Sequence, residues 1–196
     1  MTSAHSGPVQ LVILPVHHFG GMSRLSSVLD PGQRSKLSRN LCDRAVSAVQ
    51  AAGLDIVVVS SSPDVAEWAE AAGIEISPDP GAGLSAAAHS VVTRLGDRPW
   101  MLLHADLPLI TAAEVTRVAE TAIDTTVLVP SLDGGTNAIA SKGAFPFAYG
   151  PGSFHRHFAS APEATIISST ALSIDIDTPA QLRNFPNLTE VSSLTP

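Results

Sequence analysis

Four short, largely apolar runs divide the chain, and a proline or polar residues end each of them: 11–14, 56–59, 100–103 and 127–130. Continuous apolar runs of this length are typical of strands that are buried on both faces of a parallel sheet. In the stretches between the runs, apolar residues recur every three or four positions, as they do on one face of a helix. The pattern therefore predicts strands that alternate with helices.

Local signals set the limits of the helices. Asp30-Pro31 provides an N-cap and a first helical residue, and Gly53 ends the same element. Further helices are predicted at 65–72, 86–95 and 112–122, with a short strand at 74–76. This βαβαβ alternation predicts an α/β fold with a mostly parallel central sheet and helices on both faces.

Length and charge limit the classes of function. A chain of 196 residues is sufficient for one full-sized domain, predicted at 10–185, with a polar leader at 1–9 and a flexible tail at 186–196. The net charge of −7 argues against nucleic acid or an anionic membrane as a partner. No apolar run approaches the ~20 residues of a membrane span, and the first nine residues do not read as a signal peptide. A cytoplasmic location is therefore expected.

Asp106 follows the apolar run 100–103, at the predicted carboxyl end of a central strand. Ligands bind at this end of the strands in open α/β sheets. A carboxylate there is well placed to hold Mg²⁺, which prefers oxygen ligands. An Asp before Leu107-Pro108 also serves as the cap of a turn, and the residues alone leave both interpretations open.

Two glycine-containing loops are candidate nucleotide contacts. Gly20-Gly21 allows close approach of the backbone to a ligand, and Arg24 follows it as a cation for a phosphate. Gly81 and Gly83 precede a predicted helix, whose free N–H groups favour an anion. A flexible crossover and an ordinary loop are the alternative interpretations.

Three later segments carry polar residues at predicted element boundaries. Thr136 and Asn137 begin a strand after an Asp-Gly-Gly turn, and a Gly-x-Gly-Ser turn ending at Ser153 enters a helix as a second anion site. Asp175 and Asp177 lie on one face if Ile174 to Asp177 forms a strand, and Thr178-Pro179 then starts a last helix.

Seven sequence blocks stand between these elements: Pro15-Val16, Ser23-Arg24-Leu25, Asp79-Pro-Gly-Ala-Gly-Leu84, Ala105-Asp-Leu-Pro108, Asp133-Gly-Gly-Thr-Asn137, Tyr149-Gly-Pro-Gly-Ser-Phe154 and Asp175-Ile-Asp-Thr-Pro179. Together, from Leu11 to about Leu182, they resemble the phospholactate or phosphoenolpyruvate guanylyltransferases of coenzyme F420 biosynthesis. The Ala-Asp-Leu-Pro and Asp-x-Asp-Thr-Pro blocks are shared with the wider superfamily that includes the molybdopterin guanylyltransferases. The Gly-Thr-Asn-Ala and Gly-Pro-Gly-Ser-Phe blocks single out the F420 branch.

The resemblance implies a single Rossmann-like nucleotidyltransferase domain. It also implies a reaction in which a small phosphorylated acid, phosphoenolpyruvate or 2-phospho-L-lactate, attacks the α-phosphorus of GTP and releases pyrophosphate. By this resemblance, Asp106 and Asp175 hold Mg²⁺ with Asp177 beside them. The implied nucleotide contacts are Leu14, Pro15, Val16, Arg24, Gly81, Gly83, Leu84 and Ser85. The implied acceptor contacts are Thr136, Asn137, Gly150, Gly152 and Ser153.

Two positions depart from the family pattern, because His17 and Met22 stand where relatives usually carry lysine. Histidine is mostly neutral at pH 7, so two fixed positive charges near a triphosphate are missing. Three hypotheses follow: an active guanylyltransferase, an enzyme with a different nucleotide or acceptor, and a catalytically decayed paralogue that binds a ligand or a partner enzyme. The expected protein partner is a second copy of the chain or a downstream enzyme of the F420 pathway.

Overall fold

A computed structural model describes residues 8–188, which form one seven-stranded sheet with helices on both faces. The strands are β1 (Leu11–Pro15), β2 (Asp55–Val59), β3 (Glu75–Ser77), β4 (Pro99–Leu103), β5 (Val127–Pro130), β6 (Thr136–Lys142) and β7 (Thr165–Ile166). The helices are α1 (Pro31–Ala51), α2 (Pro63–Ala71), α3 (Leu84–Leu95), α4 (Ala112–Thr121), α5 (Ser153–Ser160), α6 (Thr170–Ser173) and α7 (Pro179–Leu182).

The strand order is β3-β2-β1-β4-β6-β5-β7, and β6 runs antiparallel to both of its neighbours. The other paired strands are parallel. The prediction of a mostly parallel sheet is therefore confirmed. Because β1 and β4 are adjacent and parallel, the loops after Pro15 and Leu103 leave the sheet at the same edge.

Each face of the sheet buries its own hydrophobic cluster. On one face, Ala45 of α1, Val65 of α2 and Val115 of α4 pack in a single core. On the other face, Val91 of α3 belongs to the core and Phe154 of α5 packs against it. This confirms helices on both faces, and the burial of both sheet faces explains why the central strands lack alternating polar positions.

Capping sets the helix ends as the sequence indicated. Asp30 accepts a hydrogen bond from the backbone N–H of Gln33, whose side chain accepts from the Asp30 N–H, so the two residues form a capping box. Gly53, with φ of 74°, lies just past the end of α1. Thr178 forms a second capping box with Gln181 at the start of α7, which is only four residues long.

No helix within residues 8–188 is long and apolar enough to cross a membrane.

The predicted strand from Ile174 to Asp177 is wrong, since this segment pairs with no strand. It is instead anchored by Ile176, which is buried in a small third cluster with Leu25 and Leu37 and whose N–H donates to the Asp106 carbonyl. β7 and α6 were not predicted, because elements of two and four residues are too short to show a periodicity. The predicted leader and tail fall largely outside the described residues.

Candidate active site

Two neighbouring cavities open at the carboxyl ends of the parallel strands. The first, here called the β1–α3 cavity, has a volume of about 470 Å³ and lies between the loop after β1 and the start of α3. The second, the β6–α5 cavity, has a volume of about 460 Å³ and lies between the starts of β6 and α5. Gly83, Leu84 and His104 line both cavities, so a molecule in one of them touches the walls of the other.

The β1–α3 cavity collects most of the residues that the resemblance assigned to the nucleotide: Pro15, Val16, Gly81, Gly83 and Leu84. Its wall also includes His17, Met22, Asp106 and the buried Cys42, whose pKa burial raises to about 12. Gly81 and Gly83 both have positive φ, of 77° and 85°, which glycine adopts without strain. Ser85 lies in the β6–α5 cavity instead, where its hydroxyl accepts from the N–H of Tyr149.

Leu14 and Arg24 do not line the β1–α3 cavity. Leu14 is fully buried in β1 and its side chain belongs to the core. The Arg24 guanidinium reaches across the chain to form an ion pair with Asp177. With Ser85, three of the eight predicted nucleotide residues therefore do not line the β1–α3 cavity.

The β6–α5 cavity collects Thr136, Asn137, Gly150 and Ser153 from the predicted acceptor contacts, together with Asp175. Thr136 and Ser153 are joined by a long hydrogen bond of 3.4 Å between their hydroxyl oxygens. The side-chain amide of Asn137 donates to the carbonyl of Leu172, so it also ties β6 to α6. Gly152 lies outside the lining and serves as the N-cap of α5, with φ of 68°.

Asp106 lines the β1–α3 cavity, and its carboxylate oxygen Oδ1 is buried. Within residues 8–188 this oxygen has no hydrogen-bond partner. Burial, with smaller contributions from the Asp177 and Asp133 carboxylates, raises the pKa of Asp106 to about 6. Burial also raises the pKa of Asp175 to about 6, and the charge on Asp106 adds to this effect. The two carboxylates therefore repel each other.

Asp177 has different surroundings from Asp175, two residues before it. Its carboxylate binds the Arg24 guanidinium, and both side chains are well exposed, at 36% and 67% respectively. Within the described part of the chain, no group of three or more His, Cys, Asp or Glu side chains is arranged to hold a metal ion. Asp106, Asp175 and Asp177 therefore do not form a three-carboxylate site in this structure, and the Asp177 carboxylate pairs with Arg24 instead.

The residues that remain do fit Mg²⁺. This ion is usually held by one or two carboxylates and completes its shell with water and substrate phosphates. The unpartnered Oδ1 of Asp106 and the half-buried carboxylate of Asp175 meet that requirement, and a divalent cation would offset the repulsion between them.

The turn before α5 was predicted as an anion site, and its N–H groups are engaged within the protein. The N–H groups of Ser153 and Phe154 donate to the carbonyls of Gly150 and Gly134, so they are not free for a ligand. Arg156 does not face the cavity as a free cation, since its guanidinium donates to the carbonyls of Ala148 and Pro151. Hydroxyl groups, more than these N–H groups, are thus the polar donors that this wall presents.

Two site residues were missed by the sequence analysis, His104 and Tyr149. The Nε2 atom of His104 and the hydroxyl of Tyr149 are buried and have no hydrogen-bond partner among the described residues. Burial lowers the pKa of His104 and raises that of Tyr149, so both side chains are neutral at pH 7. Their positions beside Ala105-Asp106 and before Gly150 were the only available signal.

A larger cavity of about 710 Å³ lies at the opposite edge of the sheet, between the amino ends of β1 and β2 and the end of α3. None of the predicted site residues lines it. Ligands of open α/β sheets bind at the carboxyl ends of strands, so the smaller pair of cavities is the better candidate despite its size.

Comparisons with known proteins identify the family. A family model described as guanylyl transferase CofC like matches residues 10–186. A phosphoenolpyruvate guanylyltransferase of Rubrobacter xylanophilus is 36% identical over 184 residues, covering 87% of this chain and 90% of that protein. A 2-phospho-L-lactate guanylyltransferase of Methanoregula boonei is 32% identical, covering 84% of this chain and 76% of its own.

The fold is shared more widely. The crystal structure of a putative nucleotide-diphospho-sugar transferase from Desulfovibrio desulfuricans superposes with a TM-score of 0.70, at 14% sequence identity, over 92% of this chain and 97% of that one. At this identity the likeness concerns the fold. The family match, in contrast, spans both cavities and every strand of the sheet, and it shows that the chain belongs to the family of CofC-like guanylyl transferases.

Proposed function

We propose that this protein transfers a guanylyl group from GTP to a small phosphorylated acid, phosphoenolpyruvate or 2-phospho-L-lactate, with Mg²⁺ as cofactor and release of pyrophosphate. The observation that carries the proposal is the pair of adjoining cavities, with Asp106 in the wall of the first and Asp175 in the wall of the second. The activities named for the relatives with 36% and 32% identity support the choice of reaction and acceptor. By the same resemblance, the reaction belongs to coenzyme F420 biosynthesis.

The reaction needs a nucleotide and an acid bound side by side, and we assign one of the two adjoining cavities to each. The β1–α3 cavity takes the nucleotide, since Gly81 and Gly83 let the backbone approach it and the start of α3 offers a positive dipole end to its phosphates. The β6–α5 cavity takes the acid, whose phosphate and carboxylate face the hydroxyls of Thr136 and Ser153. With both cavities filled, the acceptor phosphate would lie beside the α-phosphorus at the wall that the cavities share, which includes His104.

The protein takes no covalent part in the reaction. An oxygen of the acceptor phosphate attacks the α-phosphorus, the bond to the bridging oxygen breaks, and pyrophosphate leaves with that electron pair. A phosphate oxygen is already ionised at pH 7, so no general base is needed. The side chains align the two substrates and exclude water. Mg²⁺ held by Asp106 and Asp175 would neutralise charge on the phosphates.

The experiment that tests the proposal incubates the protein with GTP and Mg²⁺ and, separately, with phosphoenolpyruvate, 2-phospho-L-lactate or 3-phosphoglycerate. We expect pyrophosphate release with at least one acid, together with a product that contains GMP joined to that acid by a pyrophosphate linkage. A protein that releases no pyrophosphate with any of the acids at high enzyme concentration rules out the proposal.

The choice of GTP is tested separately, because His17 and Met22 alter the wall of the nucleotide cavity. Thermal unfolding with GTP, ATP, CTP or UTP, each with Mg²⁺, measures preferential binding to the folded state. We expect the largest increase in Tm with GTP. A larger increase with another nucleotide would reassign the base while leaving the transfer reaction in place.

A further inference from the structure

His157 is a buried histidine that neither the sequence analysis nor the proposed reaction assigns a role. It lies on α5, is fully buried, and reaches the wall of the β6–α5 cavity from behind. Its ring packs edge-on against Tyr149 at 4.8 Å and against Phe145 at 5.6 Å between ring centroids. The ring is thus held in position by two aromatic side chains.

Two hydrogen bonds determine which ring nitrogen carries the proton. The backbone N–H of Ala148 donates to Nε2 at 2.9 Å, so Nε2 must be an acceptor. In the neutral ring the proton then lies on Nδ1. Burial lowers the pKa of His157 to about 4, with Arg156 and His104 adding to the effect, so the ring is neutral at pH 7. Nδ1 is therefore a donor, and its partner at 2.9 Å is the Thr136 hydroxyl oxygen.

This tautomer directs the hydroxyl of Thr136. Its oxygen accepts from His157 and, at 3.4 Å, from the Ser153 hydroxyl, which uses both of its lone pairs. The Thr136 hydroxyl hydrogen then points in the remaining direction around the oxygen. Thr136 lines the β6–α5 cavity. A hydroxyl that can rotate freely loses orientational freedom on binding an anion, whereas this one is already oriented.

We infer that His157 is a positioning residue that holds the Thr136 hydroxyl as a hydrogen-bond donor to an anionic oxygen of the acceptor. The inference rests on the proposed function, since the ligand in this cavity is the phosphorylated acid. It also accounts for the wall described above, in which the N–H groups of Ser153 and Phe154 are already engaged. The Thr136 hydroxyl takes their place as a donor, and His157 behind it sets its direction.

Two isosteric substitutions separate this role from a structural one. The amide nitrogen of asparagine is attached to Cγ, as Nδ1 is, so His157→Asn can still donate to Thr136 but loses the bond to Ala148. The amide of glutamine lies one bond further out, near the position of Nε2, so His157→Gln keeps the contact with Ala148 and loses the donor to Thr136. We expect the KM for the acceptor to rise ~10-fold in His157→Gln and less than about 3-fold in His157→Asn, with the KM for GTP unchanged in both.

Stability follows the opposite order if the inference is correct. The N–H of Ala148 is left unpaired in His157→Asn, so this variant should have the lower Tm. Acceptor KM values that follow Tm, with the asparagine variant worse in both, would show a structural role alone. In a Thr136→Val background, where the oriented hydroxyl is absent, the glutamine substitution should no longer change the acceptor KM. A further increase there overturns the inference.

A measurement on the wild-type protein keeps the inference testable if a variant does not fold. Long-range ¹⁵N–¹H NMR spectra of histidine-labelled protein distinguish the two ring tautomers, and we expect the Nδ1-protonated form for His157. An Nε2-protonated ring overturns the inference. A wild-type protein that uses no phosphorylated acid overturns the proposed function and this inference with it, whereas an active enzyme with an unaffected His157→Gln variant overturns the inference alone.

Discussion

The ring of His104 lies 5.5 Å from that of Tyr149 between centroids, and the Nε2 of the first and the hydroxyl of the second are both buried without a hydrogen-bond partner within residues 8–188. A buried polar atom left unpaired costs ~1–3 kcal/mol of stability. Two such atoms on the wall of one cavity indicate groups that form hydrogen bonds with a bound ligand.

Tyr149→Phe removes one of these atoms and tests that interpretation. The ring and its packing remain, so the free energy of unfolding of the ligand-free protein should stay equal or rise by about 1 kcal/mol. Binding of the acceptor acid should weaken at the same time, by roughly 5-fold or more. Chemical denaturation and acceptor titration measure the two effects. A clear loss of stability in the free protein would mean that the hydroxyl has a structural partner.

Asp106→Asn should separate stability from metal-dependent binding. The raised pKa of Asp106, about 6 against an ordinary 3.8, means that the folded protein loses stability as the pH rises through 6. Asparagine keeps the shape and removes the charge, so the metal-free variant should be more stable at pH 8 by about 1 kcal/mol, while Mg²⁺-dependent binding of the acid falls ~10-fold or more.

The control for this variant is Glu120→Gln, which removes a carboxylate at an exposed position of α4. It should change neither stability nor binding appreciably. An Asp106→Asn protein that binds Mg²⁺ and the acid as the wild type does would eliminate Asp106 as a ligand.

Arg24→Ala tests whether the guanidinium leaves Asp177 for the nucleotide. The ion pair is exposed, so its loss should cost less than about 1 kcal/mol of stability. If Arg24 reaches the phosphates during catalysis, the KM for GTP should rise ~10-fold. Arg117→Ala breaks an exposed pair with Glu114 on α4 and serves as the matched control. Equal GTP kinetics in the two variants would restrict Arg24 to its bond with Asp177.

His17→Lys adds the charge that the family resemblance leads us to expect at this position. His17 is exposed on the wall of the β1–α3 cavity, so a lysine fits there without repacking, whereas Met22 is half-buried and has a φ of 56°. We expect GTP affinity to rise ~3- to 10-fold, measured by titration at pH 8. Gln50→Lys adds the same charge at the opposite edge of the sheet and should have no such effect. Activity that appears only after both His17→Lys and Met22→Lys would identify the natural chain as a decayed enzyme.

The stability of the protein should fall at acidic pH in part because of His157. Its pKa is about 4 in the folded protein and about 6.5 in the unfolded chain, so the folded state binds the proton less readily. The contribution of His157 to stability is therefore complete above pH 6.5 and is lost as the pH falls towards 4, up to about 3 kcal/mol. Denaturation of wild type and His157→Asn between pH 4.5 and 7.5 should show a shallower decline in the variant. Parallel curves would contradict the lowered pKa.

Local signals in the sequence determined much of the fold. The apolar runs around Ile13, Val58 and Leu102 became central strands, and Asp30 and Thr178 became the N-caps of α1 and α7. These features depend on side-chain periodicity and on hydrogen bonds between residues three positions apart, so a stretch of sequence suffices to predict them. The glycine turns before α3 and α5 were likewise visible, because φ above zero favours glycine.

Contacts between distant residues were decided by the tertiary structure. Asp175 and Asp177 are two residues apart and were predicted on one face of a strand. A strand requires a hydrogen-bonding neighbour, however, and the burial of Ile176 and its bond to Asp106 were the stronger constraints. Asp177 then pairs with Arg24, 153 residues away, which no periodicity encodes.

The same reason applies to the wall of the acceptor cavity. The tautomer of His157 depends on the N–H of Ala148, and the orientation of the Thr136 hydroxyl depends on that tautomer across 21 residues of chain. The sequence by itself determined which residues stand at the edge of the sheet, since strand ends are local. Which of these residues contact one another was decided by the packing of helices against both faces of the sheet. A hydrogen bond between two separate elements forms only where the folded backbone brings donor and acceptor within bonding distance.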